Sequence, residues 1–269
     1  MTSSRVNFKV EQSVAHVTLN RADKHNGLDE QMMVDLVKTA KRINKDNSIR
    51  CVILQGAGAS FCAGLDFSYV AKNPSMIAKF FLKLPWRKDN MFQRVAHVWR
   101  DLSVPVIAVV HGNCFGAGMQ IILACDYRIA KPDANLSILE MKWGLIPDMS
   151  GMATLSRLTR VDIAQELAMT GRFFSGIEAE QYGLVSKISD SPLVEAKILA
   201  DKIIEQSPDA ISATKYLFKK TWKKDTRSAL FWERVTQMRL LGRRNQRIAM
   251  KNGLAKGQQP TAFIDRSSF

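Results

Sequence analysis

Long apolar runs are missing from this chain. None approaches the roughly 20 residues that a helix needs to cross a bilayer, so no membrane span is expected. Cysteine is scarce: Cys51, Cys62, Cys114 and Cys125 are the four in 269 residues, and no two form a CxxC pair. Structural disulfides are therefore not expected, and the usage fits a reduced, cytoplasmic, enzyme-like protein. No basic-plus-apolar leader precedes Arg5. No internal repeat is visible, and no linker divides the chain into separate folding units. Acidic residues are in deficit, 25 against 39 Lys and Arg, which gives a net charge of +14. That balance favours an anionic partner: a nucleic acid, a membrane surface or a phosphate-bearing ligand. A generally basic surface would have the same composition.

What is present suits one large domain, or a domain with an appendage, since 46% of the residues are hydrophobic. Val6–Val10 and Val14–Leu19 read as short strand-like runs, with a hairpin turn at Glu11–Ser13 between them. A polar loop, Asn20–Leu28, follows. Asp29 is placed to cap a helix whose apolar positions are Met32, Met33, Leu36, Val37, Ala40 and Ile43. Cys51–Leu54 reads as a buried strand running into the flexible turn Gly56–Ser60. The stretch His111–Asp126, HGNCFGAGMQIILACD, repeats this rhythm. It follows the apolar run Val104–Val110 and carries Gly112, Gly116 and Gly118 ahead of the apolar Ile121–Cys125. Strand, glycine-rich turn, helix is an order that leaves backbone N–H groups free and unscreened at the helix start. A tight turn needing small residues would look the same.

Several segments carry a resemblance. FCAGLDF at Phe61–Phe67 and HGNCFGAGMQ at His111–Gln120 resemble the two signature turns of the crotonase family, which includes enoyl-CoA hydratases and isomerases. NRADKHNGL, ACDYRIA at Ala124–Ala130, LEMKWGLIPDMSG at Leu139–Gly151 and FSGIEAEQYGLVSKI at Phe174–Ile188 are similar to the family's other segments, in order and at family-like spacing. The resemblance covers nearly the whole chain. It implies an α/β fold, a crotonase-like spiral of repeated ββα units over residues 1–207, with a helical C-terminal region at 208–269 used for trimer assembly, commonly doubled to a hexamer.

The chemistry implied is that of an acyl-CoA thioester made enolate-like by loss of its α-proton. By match to the family motifs, the amides of Leu65 and Ala117 would form the oxyanion hole; losing one such donor typically costs about 2.7–4 kcal/mol. The family's two glutamate positions fall on Gln120 and Glu140. An amide does not exchange protons near neutral pH, so Gln120 is expected to line the pocket or hold a water, and Glu140 to be the catalytic base. Asp148 stands where hydratases tend to have glycine and dienoyl-CoA isomerases have aspartate. It is a second proton carrier or, alternatively, the N-cap of a helix over Met149–Leu158. This pattern lies between classes. One carboxylate that takes a proton from C2 and returns it at C4 is enough to shift a double bond, so isomerisation is expected first and 2-enoyl-CoA hydration second.

The same resemblance places CoA. The Asn20–Leu28 loop would hold the adenine end, with Arg21 and Lys24 near the phosphates. Ala63, Asp66, Phe67 and Ser68 would line the pantetheine and thioester beside Gly116, and Lys256, Phe263 and Arg266 would reach a neighbour's CoA. No metal and no cofactor beyond the CoA thioester is expected. The segment from Lys72 to Leu102 interleaves Phe80, Phe81, Leu82, Leu84, Trp86 and Phe92 with basic residues and reads as a helical lid over the acyl chain, or as a subunit contact. Helical spacing recurs at Asp162–Thr170, Leu193–Gln206, Asp209–Trp222 and Thr226–Arg244. Arg243, Arg244, Arg247, Lys251 and Lys256 suggest a different class of function, an RNA-binding crotonase relative, but no RNA-recognition motif accompanies them. An inactive scaffold is a further alternative.

Overall fold

A computed structural model of the protein describes residues 4–255 and 259–267. Its strands are β1 (Val6–Glu11), β2 (Val14–Leu19), β3 (Cys51–Gly56), β4 (Val106–Val110), β5 (Asn113–Phe115), β6 (Tyr127–Ala130), β7 (Asn135–Ser137), β8 (Phe174–Ser175) and β9 (Lys187–Ile188). The helices are α1 (Glu30–Lys45), α2 (Phe67–Lys72), α3 (Pro74–Phe81), α4 (Met91–Asp101), α5 (Ala117–Leu123), α6 (Gly151–Leu158), α7 (Val161–Thr170), α8 (Gly176–Gln181), α9 (Pro192–Ile204), α10 (Pro208–Thr221), α11 (Thr226–Leu240) and α12 (Arg244–Leu254).

One sheet runs β1-β2-β3-β4-β6-β9 and a smaller one β5-β7-β8. β1 and β2 form an antiparallel hairpin, closed by Gln12 and Ser13 at φ 47° and 66°, the left-handed pair that two-residue hairpins favour. From β2 to β9 the neighbours of the larger sheet are parallel. Both faces of its centre are covered, and the alternation of side chains sorts them. Val52, Leu54, Val106 and Ala108 join one core with residues of α1, α4 and α5. Ile53, Ile107, Val109 and Ile129 join Ala196 and Ala200 of α9 in another. The unbroken apolar run before the glycine-rich stretch follows from this double burial.

The Asp29 cap forms as expected: its carboxylate accepts from Met32 N at 2.8 Å, and the six apolar positions of α1 are buried. Three expectations are corrected. Between β4 and α5 the chain does not pass straight from strand to helix; it first adds β5, which pairs with β7. Thr226–Arg244 is not one helix but the whole of α11 followed by the first residue of α12, separated at Gly242, whose φ is 75°. α6 begins at Gly151 behind Ser150, whose side chain makes no cap bond, so Asp148 does not cap that helix. Among the described residues no helix is long and apolar enough to cross a membrane. The four cysteines are free and buried.

Candidate active site

Two loops meet at the C-terminal edge of the larger sheet. Asn26, fully buried, donates its side-chain amide to Ala57 O and Ser60 O at 2.9 and 2.8 Å, tying the Asn20–Leu28 loop to the loop after β3. Ala63 N donates to His25 O, Leu28 N to Gly64 O and Asp66 N to Leu28 O. Ala63 and Asp66 are thus committed on either side of Leu65, whereas no protein acceptor among the described residues takes the Leu65 amide. Across from it, Cys62 pairs with Cys114 of β5. This pairing brings Gly64 against the start of α5: a Cβ on Gly64 would lie 3.7 Å from Ala117 N and 3.0 Å from Phe115 O. The Ala117 amide, in the first turn of α5, is likewise without a protein acceptor among the described residues. Short parallel pairing, β5 on β7 and Cys62 on Cys114, therefore sets two uncommitted amides at one cleft.

The carboxylates come from the other side. Glu140 sits on a 3-10 turn, Leu139–Trp143, directly after β7. Its carboxylate packs over Gly116, where a Cβ would stand 3.5 Å from Glu140 Oε1. Gly116 has φ 48° and ψ −114°, a conformation that disfavours any residue with a side chain. Glu140 Oε1 accepts from Gln120 Nε2 at 2.6 Å, and Gln120 Oε1 accepts in turn from Gly151 N at 2.9 Å. Gln120 is 1% exposed. The chain from α6 to Gln120 to Glu140 fixes the orientation of the carboxylate and leaves Glu140 Oε2 buried without a hydrogen-bond partner. Burial pushes the Glu140 carboxyl above the usual range; its own backbone N–H and Gln120 pull down, and the charge of Asp148 pushes up. Burial also raises Asp148.

These groups share one cavity of about 420 Å³. Leu65, Gly116, Ala117, Gln120, Glu140 and Asp148 all line it, together with Ala63 and Phe67. The rest of the wall is apolar: Ile77 and Phe81 from α3, Phe92 from α4, Phe115, Trp143 and Ile146. The Lys72–Leu102 segment thus supplies a wall as α3 and α4, which Phe92 links by its contacts with Phe80 at 5.6 Å and Phe81 at 5.0 Å. Such a space can hold an apolar chain, take a carbonyl oxygen on the two amides and present one carboxylate to the adjacent carbon.

Other expected residues lie elsewhere. The Arg21 side chain is only 10% exposed and turns inward, donating to Asp66 Oδ2 at 2.8 Å and Gly27 O at 2.9 Å, with Asp29 at 3.5 Å. It braces the loop rather than facing a phosphate. Asp66 is Arg21's partner and the N-cap of α2, accepting from Tyr69 N at 3.0 Å; although burial opposes its ionisation, Tyr69 and Arg21 outweigh this and hold its carboxyl below the usual range. Lys24 and Ser68 are exposed outside the cavity wall. Phe263 lies away from the cavity, its carbonyl accepting from Arg50 at 2.9 Å. Arg266 is 4% exposed and caps α1 by donating to Asn44 O and Asp46 O, so it is not free to reach a neighbour. Lys256 lies outside the described residues. Asp89, His97 and Asp101 bring ligand atoms within 4.8 Å of one another, but Arg94 and Lys88 already neutralise the two carboxylates, at 3.2 and 2.8 Å.

Two contributors are not apparent from sequence. Trp143 stacks on Phe67 with centroids 4.0 Å apart and planes at 24°, and Gly151 supplies the N–H that holds Gln120. The first lies in a segment with a family resemblance but joins residues 76 positions apart (143 − 67); the second is a backbone contact with no side-chain signal.

Comparison with known proteins decides the family. The family model described as enoyl-CoA hydratase/isomerase matches residues 9–258. The chain belongs to the enoyl-CoA hydratase/isomerase family. Among its relatives, the mitochondrial Delta(3,5)-Delta(2,4)-dienoyl-CoA isomerase of Dictyostelium discoideum is 32% identical over 75% of this chain and 71% of its own length. The (E)-benzylidenesuccinyl-CoA hydratase of Thauera aromatica is 34% identical over 78% and 80%. The crystal structure of an enoyl-CoA hydratase from Bacillus anthracis superposes with a TM-score of 0.87 over 96% of this chain and 98% of that one, at 27% identity. The fold is therefore the crotonase fold of this enoyl-CoA hydratase/isomerase family, and the protein is an enzyme of that family.

Proposed function

We propose that the protein shifts a double bond in an acyl-CoA thioester, from the 3-enoyl to the 2-enoyl position or along a dienoyl chain. The observation that carries this reading is that one cavity holds a single well-oriented buried glutamate whose neighbour, at the position of a second acid, is an amide. In the proposed reaction the thioester oxygen sits on the Leu65 and Ala117 amides. Glu140 takes a proton from C2, negative charge spreads to the oxygen and over the conjugated carbons, and a proton returns from the protonated Glu140 at C4 of a 3-enoyl chain, or is delivered at C6 of a 3,5-dienoyl chain. No water is consumed. Burial makes Glu140 a stronger base than a solvated glutamate. Gln120 positions the carboxylate and moves no proton.

Hydration of a 2-enoyl-CoA is the second reading. It draws on Asp148 as a second carboxyl in the same cavity with its pKa raised, at a position that hydratases tend to fill with glycine, and a relative named as a hydratase is in keeping with it. The apolar wall of α3 and α4 suits a bulky or long acyl group. The CoA is read as lying toward the Asn20–Leu28 loop with Lys24 near its phosphates, and the helical C-terminal region as the face of a trimer or dimer of trimers. Incubating the purified protein with 3-enoyl-, 3,5-dienoyl- and 2-enoyl-CoA thioesters, separating the products by chromatography and identifying each by ultraviolet absorbance and mass tests the order. A new, separately eluting product of unchanged mass, with the absorbance of a double bond conjugated to the thioester, from the first two supports isomerisation. Gain of one water from the third alone makes the protein a hydratase.

A further inference from the structure

A second hollow, of about 430 Å³, lies between α6, α10 and the C-terminal end of α5. Leu158, Ile203, Phe218 and Trp222 give it apolar walls, and Arg100 and Arg157 border it. Its acid, Asp126, is already committed: it accepts from Lys215 Nζ at 2.6 Å and from Val106 N at 2.8 Å. Lys219, also at this hollow, shares Asp101 with Lys88. The two arginines have no such partner. Among the described residues no carboxylate lies in ion-pair range of either, and Arg100 makes one long bond, 3.4 Å, to Ala153 O. Burial and the charge of Arg157 push the Arg100 guanidinium below its ordinary range, against a smaller upward pull from Asp126 and Asp101.

Two half-buried guanidiniums that repel each other are stabilised by an anion placed between them, and the planar fork suits a carboxylate. A bare inorganic anion would leave the apolar walls unused; an uncharged lipid would leave the arginines unpaired. The volume falls within the range of small-molecule sites, about 300–1,000 Å³. We propose that this hollow binds a carboxylate with an apolar tail, of the fatty-acid kind, its headgroup on Arg100 and Arg157 and its tail along Leu158, Phe218 and Trp222. One helix borders both spaces: α5 carries Ala117 and Gln120 at the acyl cavity and Leu123 here, while α6, which carries Arg157, reaches the acyl cavity only through the Gly151 N–H that Gln120 accepts.

The test is titration of the full chain with laurate and, separately, with dodecanol, read by tryptophan fluorescence and calorimetry. Laurate is expected to bind saturably, and dodecanol at least about tenfold more weakly. Arg157→Gln is expected to weaken laurate by about tenfold or more, as for loss of a charge-assisted bond, and to leave dodecanol unchanged; Arg100→Gln serves as the second variant. The fluorescence response is expected to vanish in Trp222→Phe and persist in Trp143→Phe, which separates this hollow from the acyl cavity. Absence of saturable laurate binding, as when a second copy seals the hollow, would overturn the proposal. So would equal binding of dodecanol, indifference to both arginine changes in folded variants, or a response that follows Trp143.

Discussion

Gln120 donates its side-chain amide to Glu140 across 2.6 Å while its own carbonyl is held by Gly151 N at 2.9 Å. With one end anchored on the α6 backbone, the amide cannot turn its oxygen toward the carboxylate. Glu140 therefore meets a donor at all times, which orients it without taking its proton. Replacing Gln120 by Leu removes that donor and leaves the Gly151 amide unpaired. The Gln120 bond lowers the Glu140 pKa, so its loss raises that pKa further. The acid limb of the pH–rate profile is expected to move to higher pH in Gln120→Leu, with kcat/KM down about tenfold or more above it. An unmoved acid limb would show that the bond does not tune Glu140.

Gln120→Glu places a second carboxyl within hydrogen-bond distance of the first. Two carboxylates so close cannot both ionise readily, and one of the coupled pKa values rises steeply. The variant is expected to gain hydration of 2-enoyl-CoA relative to double-bond shift, measured as the ratio of products from parallel reactions. A ratio equal to that of the parent protein would contradict the view that the missing second acid selects the reaction.

Glu140 is held at a cost to stability. Its folded pKa lies above its unfolded one, so the contribution is fully favourable below the unfolded pKa and is lost as pH rises through the folded value. At pH 7 the ionised, buried carboxylate destabilises the fold; Glu140→Gln removes that charge at nearly constant shape. The variant is expected to melt higher than the parent at pH 7, and the difference to close as pH falls below the ordinary glutamate range. Thermal unfolding at both pH values checks the sign.

Gly116 tests the geometry of the cleft. Its φ is 48°, and a methyl added there would stand 3.5 Å from Glu140 Oε1. Gly116→Ala is therefore expected to cost about 1–3 kcal/mol of stability from backbone strain and to disturb the carboxylate as well. Turnover should fall more than denaturant stability alone accounts for. Unchanged kcat would mean that the turn has freedom not visible in the fold.

Arg21 and Lys24 separate bracing from binding. Arg21→Ala removes one partner from a mostly buried cluster with Asp66 and Asp29 and is expected to cost about 3 kcal/mol or more in urea unfolding. Lys24→Ala, on an exposed 3-10 turn at Ala22–Lys24, should leave stability within about 0.5 kcal/mol and raise KM for the CoA thioester. The opposite assignment, a stable Arg21 variant with raised KM, would place the phosphates on Arg21.

The parts of the fold legible in sequence were those with a period or a cap. The strand runs of β1 and β2 with the turn between them, the Asp29 cap, the six buried positions of α1 and the doubly buried β4 all follow from local pattern. β5 was not legible, because three residues carry no period; its partner β7 lies across α5. The break at Gly242 was hidden by apolar spacing that continues on both sides of it. In the site, the glycine-rich turns, Gln120, Glu140 and Asp148 were readable as a group because the family motif fixes their spacing. The fate of Arg21 was not, because a charge count does not reveal a carboxylate 45 positions away. Arg266 is the same case, its partners being carbonyls at the end of α1.

The most direct measurement is conversion of a 3-enoyl-CoA to the 2-enoyl isomer in deuterated water by the parent protein and by Glu140→Gln, with the stability of the variant verified first. Proton removal by Glu140 requires that the variant lose both the double-bond shift and whatever deuterium the parent reaction delivers to C4, by about 10²–10⁴-fold. A folded Glu140→Gln protein that still shifts the bond at the parent rate would assign the proton transfer to another group and contradict the mechanism.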